Sequence, residues 1–167
     1  MMNPHGIMFH HFHDGNKHPI GQGSITAHEL HEMLRFYGKT HAIVSAEEWY
    51  EKAVAGTLSP KEICLTFDDN LRCQFDIALP VLESLSVKAF WFIYTSPLDN
   101  FLEKLEVYRY FRNTAFEHID AFYAAFEHAV GRAGLKGKVQ AGLKAFSEDY
   151  LAESGFYSRS DRRFRYI

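Results

Sequence analysis

The segment Glu62–Phe67 (EICLTF) constrains the fold more than any other part of the sequence. It is a short apolar run with the residues of an extended strand, and the polar triplet Asp-Asp-Asn follows it at once. Leu71–Leu85 then shows a helical pattern, in which Pro80 should kink the helix or mark a fresh start. The next run, Val87–Tyr94 (VKAFWFIY), is almost entirely apolar, which is typical of a strand covered on both faces. A strand, a helix and a strand at this spacing predict a parallel crossover unit and hence an α/β fold.

The residues before this unit continue the alternation of strands and helices. The segment Ala27–Tyr37 carries apolar residues at helical spacing and stops at Gly38. A second helix should begin with a capping box between Ser45 and Glu48. These patterns predict, in chain order, a strand over Gly6–Phe12, a helix over Ala27–Tyr37, a strand over His41–Val44 and a helix from Ser45 through Val54.

The hydrophobic pattern of the sequence changes from Leu98 onward. Two apolar stripes, at 119–130 and 139–150, predict a helical segment there. With 167 residues, of which 47% are hydrophobic, the chain fits about one domain and is not of the disordered class. We therefore predict an α/β part over residues 1–97 and a helical segment over residues 98–167 that packs on it as a single unit.

Charge and cysteine usage exclude several classes of protein. The 18 Lys and Arg residues against 21 Asp and Glu residues give no basic field, so nucleic acid is not a predicted partner. Cys64 and Cys73 form no disulfide framework and are interpreted as reduced, partly buried thiols. The sequence shows neither a secretory signal pattern nor a run long enough to span a bilayer, which predicts a cytoplasmic protein without a membrane span.

Asp68 and Asp69 follow the most apolar strand, at the carboxyl edge where α/β folds assemble their sites. Because side chains alternate along a strand, one carboxylate can face the site while the other points elsewhere. This suits a division of labour in which one carboxylate holds a metal ion and the other takes a proton from water. Alternatively, both residues cap the helix that follows. The D-x-D and D-D-x-x-D patterns of two phosphate chemistries are not met, because Asn70 and Arg72 occupy the deciding positions.

Three consecutive stretches of the chain resemble a known family. The three stretches are ICLTFDDN, Phe75–Leu82 and Val87–Phe92. They are similar to the first motif block of the polysaccharide deacetylases of the NodB-homology type. The resemblance covers Ile7–Ser96 and implies a partial or distorted (β/α) barrel. It also implies a metal-dependent hydrolase that removes an acetyl group from an N-acetylated or O-acetylated sugar of a surface polysaccharide or its precursor.

The resemblance further implies that Asp68 is the general base and that Asp69 is a ligand of a divalent metal, commonly zinc. Asn70 stands where the family usually has Gly, and Asn tolerates a positive φ better than most residues. The H-x-x-x-H motif that supplies the family's other metal ligands is absent, since no two of the ten histidines are four residues apart. The candidates for additional positions at the rim of the site, besides Asn70, are His10, His11 and His13.

The missing motif leaves two hypotheses open. Typical members of the family have longer chains, so Ile167 is expected to mark a truncation, and the isolated chain is expected to be nearly inactive. The alternative is a catalytically silent carbohydrate-binding or assembly module. In either case some edges of the strand predicted over Val87–Tyr94 would have no neighbour, and self-association is expected.

Overall fold

The computed structural model describes residues 6–155 and 157–166 of the chain. The chain divides into two compact units, Met1–Lys104 and Leu105–Ile167. The first contains the β-strands and the second is helical. The packing of the two parts as a single unit stays a prediction. In the part of the chain that is described, no helix is both long enough and apolar enough to cross a bilayer.

A parallel β-sheet forms the centre of the first unit and confirms the α/β class. Strand β3 lies at its centre, has the predicted bounds, and hydrogen-bonds in parallel to the three other described strands. The chain forms β1 (Gly6–Phe9), α1 (Ala27–Tyr37), β2 (Ala42–Ile43), α2 (Ala46–Ala55), β3 (Glu62–Phe67), α3 (Leu79–Ser84) and β4 (Phe90–Trp91). These four strands form an open sheet, so the barrel stays a prediction for the described residues.

The helices before β3 begin and end where capping chemistry dictates. Helix α1 opens with a complete capping box between Thr26 and Glu29, a pair that the sequence analysis missed. At α2 the Ser45 hydroxyl accepts the Glu48 amide, which is half of the predicted capping box. Helix α2 ends at Gly56, whose φ of 68° lies in the left-handed region that favours glycine.

The helix predicted over Leu71–Leu85 is divided into two pieces. A π-helical turn over Gln74–Ala78 precedes α3, and Pro80 lies in the first turn of α3. Proline has no N–H to donate and is tolerated in a first helical turn, where that N–H has no intrahelical partner. Ala78 and Leu79 at the junction both keep helical dihedral angles, so a change of helix type takes the place of the predicted kink or fresh start.

The core of the first unit lies on one face of this sheet. Leu30 and Leu34 of α1 pack there with Leu65 of β3 and Leu82 of α3, and all four side chains are buried. Neither cysteine forms a disulfide bond, as predicted, but both are buried rather than partly buried.

The last strand is much shorter than its apolar sequence predicts. The strand itself is limited to Phe90–Trp91, which pairs with β3, and beyond it the Phe92 amide donates one further hydrogen bond to the Phe67 carbonyl at 2.8 Å. Phe92, Ile93 and Tyr94 are 55%, 61% and 43% exposed, so the prediction of a strand covered on both faces is wrong. The sequence shows that these side chains are apolar, but it does not show whether a neighbouring element is present to cover them.

The second unit is helical, as predicted for this part of the sequence. Its core is aromatic: the Phe164 ring lies 5.0 Å from the rings of Tyr123 and Phe126 and 5.6 Å from that of Phe122. The helices in this part of the chain are α4 (Lys104–Thr114), α5 (Ile119–Arg132), α6 (Lys136–Leu143) and α7 (Arg159–Tyr166).

We propose that copies of the chain associate through the exposed apolar side chains of residues 92–94. Replacing Phe92 and Ile93 together with Ser should lower the mass measured by light scattering toward that of one chain, because less apolar surface is left to bury. The control Val54→Ser removes an apolar side chain of α2 that is 72% exposed, and it should leave the mass unchanged. A wild-type chain that scatters as a monomer and binds no hydrophobic dye would contradict this proposal.

Candidate functional site

The register of the sheet places the ends of three strands side by side. Phe9 of β1 and Trp91 of β4 both pair with Phe67, the last residue of β3. Parallel strands present their carboxyl ends at one edge of a sheet, so the residues that follow Phe9 and Phe67 meet there. These residues are His10 and Asp68, and the Asp68 amide donates to the carbonyl of Phe9 at 3.2 Å.

A row of stacked aromatic rings supports this edge from within the core. The Phe67 ring is fully buried and stacks on Trp91 at 4.4 Å and on Phe9 at 5.4 Å between ring centroids. The Phe12 ring completes the cluster, 5.9 Å from Phe67. Stacking of aromatic rings adds about 0.5–1.5 kcal/mol per pair to the free energy gained by burying apolar area. The row therefore stabilises the register in which Phe9, Phe67 and Trp91 lie side by side.

Both carboxylates of the acidic pair approach one imidazole. The His10 Nε2 atom lies 3.7 Å from Oδ2 of Asp68 and 3.9 Å from Oδ2 of Asp69. The expectation that the two side chains point to different places is therefore wrong. Strand β3 ends at Phe67 and the chain turns immediately, with φ of 75° at Asp69 and 51° at Asn70, so the alternation of a regular strand does not apply. The positive φ expected at Asn70 is confirmed.

Asp68 presents one carboxylate oxygen with no partner. Its Oδ1 is buried, and no described residue donates a hydrogen bond to it. An unsatisfied buried acceptor costs about 1–3 kcal/mol, which is seldom tolerated without a ligand or water to bind. The helix-cap alternative has no support, because the helical turn after β3 has no side-chain cap and the amide of Leu71 donates to Gln74 instead.

Gln74 holds the two strand ends together, and the sequence analysis missed it. Its side chain is fully buried, and its Nε2 donates to the backbone carbonyls of His10 at 2.9 Å and Asp68 at 2.5 Å. Its Oε1 accepts the Leu71 amide at 3.2 Å, so all three bonds fix the turn that carries the acidic pair. The available signal was a single amide side chain between the apolar residues Cys73 and Phe75.

An ionic cluster ties the loop after β1 to the π-helical turn. Asp76 accepts hydrogen bonds from Lys17 at 2.5 Å, His18 at 2.9 Å and Arg72 at 2.8 Å. The bonds from Lys17, then His18 and Arg72, hold the pKa of Asp76 well below its usual range. The carboxylate therefore stays ionised through the neutral range and keeps the loop attached near the site.

The other predicted rim residues lie at different places. The His11 ring stacks parallel to that of His10 at 6.3 Å between centroids. His13 lines a separate open cavity of about 620 Å³ with Asp14, His28 and Asp76, and its buried Nδ1 has no hydrogen-bond partner among the described residues. Asn70 is exposed in the turn.

The described residues do not fit a zinc centre. Within residues 6–155 and 157–166, no group of three His, Cys, Asp or Glu side chains is close enough to hold a metal ion. Catalytic zinc sites normally have three protein ligands and one open position. His10 and Asp69 supply two donor atoms, 3.9 Å apart, so the role of Asp69 as a metal ligand stays a prediction.

Comparisons with known proteins give one similar structure. No family model matches the chain, and no curated protein matches it. The solved structure of IcaB from Ammonifex degensii is 22% identical in sequence, with a TM-score of 0.46, over 55% of this chain. The aligned region spans 39% of the IcaB chain.

Replacing Gln74 with Leu should destabilise the fold. The substitution removes the donor that binds two backbone carbonyls and the acceptor of the Leu71 amide, and each buried polar group left unpaired costs about 1–3 kcal/mol. We expect the free energy of unfolding, measured with denaturant, to fall by at least about 2 kcal/mol. Gln140→Leu, at an exposed position of α6, is the matched control and should change it by less than about 0.5 kcal/mol. Equal effects of the two substitutions would show that the hydrogen bonds of the Gln74 side chain do not stabilise the fold.

The chain as it stands should bind zinc weakly. With two donors in place of three, we expect a binding free energy well short of the roughly 10–16 kcal/mol of structural zinc sites. Competition against a chromogenic chelator measures it, and His10→Ala should weaken even this residual binding. Tight binding of one zinc ion per chain, unaffected by His10→Ala and Asp69→Ala, would place the ligands elsewhere.

Proposed function

We propose that the chain is a hydrolase of the polysaccharide-deacetylase type, with Asp68 as its general base. The observation that carries this proposal is that Asp68, whose side chain is 28% exposed, lies beside His10 and Asp69 at the carboxyl edge of a parallel sheet. The motif ICLTFDDN supports it, because the same residues carry the resemblance to that family. The first unit would then be the N-terminal part of a distorted (β/α) barrel.

The substrate class is an N-acetylated or O-acetylated sugar of a surface polysaccharide or its precursor. Asp68 takes a proton from a water molecule, whose oxygen forms a bond to the acetyl carbonyl carbon. The bond from that carbon to the sugar nitrogen or oxygen then breaks, and the proton passes from Asp68 to the departing group. The products are acetate and the free amine or hydroxyl of the sugar.

His10 and Asp69 shape the surroundings of this base. The His10 imidazole lies within 4 Å of both carboxylates, so its ring limits the space in which their side chains can rotate. The resemblance also implies a divalent metal, commonly zinc in the family, at Asp69. That role needs a third donor, which the described residues do not provide.

A second candidate function is a silent carbohydrate-binding module that retains the strand and acidic pair without catalysis. The observation in its favour is the absence of a three-ligand group among the described residues. The two functions differ in turnover but share the sugar ligand, so one experiment on the whole chain separates them.

Acetate release from an N-acetylglucosamine oligomer is the readout that tests the proposal. The wild-type rate should be low, because the described residues provide no third metal donor, and Asp68→Asn should lower it about 100-fold further, since a general base contributes about 10²–10⁴ to catalysis. Asp99→Asn removes an exposed carboxylate of the same unit and should leave the rate unchanged. Binding of the oligomer without any acetate release would favour the silent module. Equal rates for wild type and Asp68→Asn would refute the assignment of the base.

A further inference from the structure

A cavity of about 650 Å³ lies within the second unit, between α5, α6 and α7. Small-molecule sites usually have volumes of roughly 300–1,000 Å³ and mostly apolar walls. The apolar walls of this cavity are formed by Tyr123, Phe126, Val130, Val139, Leu143 and Phe164. Neither the acidic pair nor the sheet of the first unit contributes to it, so the cavity is not explained by the proposed hydrolysis.

The wall between α5 and α7 is held by packing and by a buried polar contact. The Tyr123 hydroxyl donates to the Asp161 carboxylate, which also accepts the amide and the hydroxyl of Ser158 at 2.9 and 2.7 Å. Burial, reinforced by the bond to Asp161, raises the pKa of Tyr123, so the phenol stays protonated as the donor. Since Phe164 also packs on Tyr123 and Phe126, this wall is fixed in place.

Three permanent cations line the cavity, and two of them, Arg132 and Lys136, are exposed to solvent. Arg132, Lys136 and Arg163 line it, and none of them forms a hydrogen bond or an ion pair with another described residue through its side chain. The pKa of Glu148 is lowered mainly by the hydrogen bond from Arg159, and the charge of Arg163 adds to this effect. No described carboxylate, however, lies within ion-pairing distance of the Arg163 guanidinium. The adjacent Arg159 differs, because its guanidinium pairs with Glu148 at 2.5 Å.

The charge around the cavity is also positive in sum. Residues 105–167 contain ten Lys and Arg against eight Asp and Glu, although the whole chain has a formal charge of −3. Among the described residues that line the cavity, Glu127 is the single acid against three permanent cations, with His128 beside them. A ligand that matches these walls therefore has an apolar body and an anionic head.

We propose that this cavity binds the anion of a single-chain fatty acid, with the chain among the aromatic and aliphatic side chains and the carboxylate at Arg132, Lys136 and Arg163. Arginine and lysine are the natural partners of a carboxylate at a partly exposed mouth. The volume suits one chain of medium to long length. This site is independent of Asp68 and of any deacetylation.

Titration of the full chain with dodecanoate, below the concentration at which it forms micelles, tests the proposal. Dodecanoate should bind one per chain, and dodecanol and acetate, which lack the charge and the chain respectively, should each bind at least about tenfold more weakly. Replacing Arg132, Lys136 and Arg163 together with Gln should weaken dodecanoate binding about tenfold. The matched control is Lys138→Gln, which removes a cation of α6 that does not line the cavity and should have no effect.

A second variant keeps the test decisive if the triple substitution impairs folding. Val139→Trp fills the cavity without changing any charge and should abolish binding while the helical circular dichroism is retained. Equal binding of dodecanol and dodecanoate, or an equal loss in Lys138→Gln, would overturn the proposal. Binding to vesicles of anionic phospholipid without binding of free dodecanoate would also overturn it, in favour of a membrane surface.

Discussion

Strand β3 is hydrogen-bonded on both sides of its last two residues, to β1 at one edge and to β4 at the other. Everything at the candidate site depends on this pairing, because it sets Phe9, Phe67 and Trp91 in one row and brings His10 beside Asp68. A shift of one residue in β1 would turn its side chains to the other face and remove Phe9 from the stack on Phe67. The aromatic row and the site therefore share one register.

The turn after β3 brings the second carboxylate, that of Asp69, into the site. Positive φ values at Asp69 and Asn70 bring the second carboxylate back toward His10, and the Gln74 amide binds the carbonyls on both sides of the edge. A backbone held in this region costs energy and persists only where the surroundings fix it. Here the fixing group is a buried side chain whose polar atoms are used by the turn itself.

The sequence predicts those elements whose cause is local. Helix α1 and strand β3 have their predicted bounds, because periodicity and flanking polar residues decide them within the segment itself. Strand β4 was predicted too long, because its length depends on neighbours that cover Phe92 and Ile93 rather than on their apolar character.

The sequence likewise predicts only part of the candidate site. Asp68 and Asp69 are visible from the strand that precedes them, and His10 could be nominated only as one of three histidines after the first strand. Its selection over His11 and His13 follows from the register, which no single segment contains. Gln74 could not be assigned its role from the sequence, since its partners His10 and Asp68 are backbone carbonyls from two different strand ends.

The central claim is that one strand register assembles the His10, Asp68 and Asp69 cluster, and scalar couplings across hydrogen bonds measure that register directly. In an isotopically labelled chain, the Asp68 amide nitrogen should couple to the Phe9 carbonyl carbon, and the Phe92 amide nitrogen to that of Phe67. Both amide protons should also exchange slowly with solvent. Coupling of the Phe9 carbonyl to a different amide, or exchange of the Asp68 amide at the rate of an unfolded chain, would contradict the account.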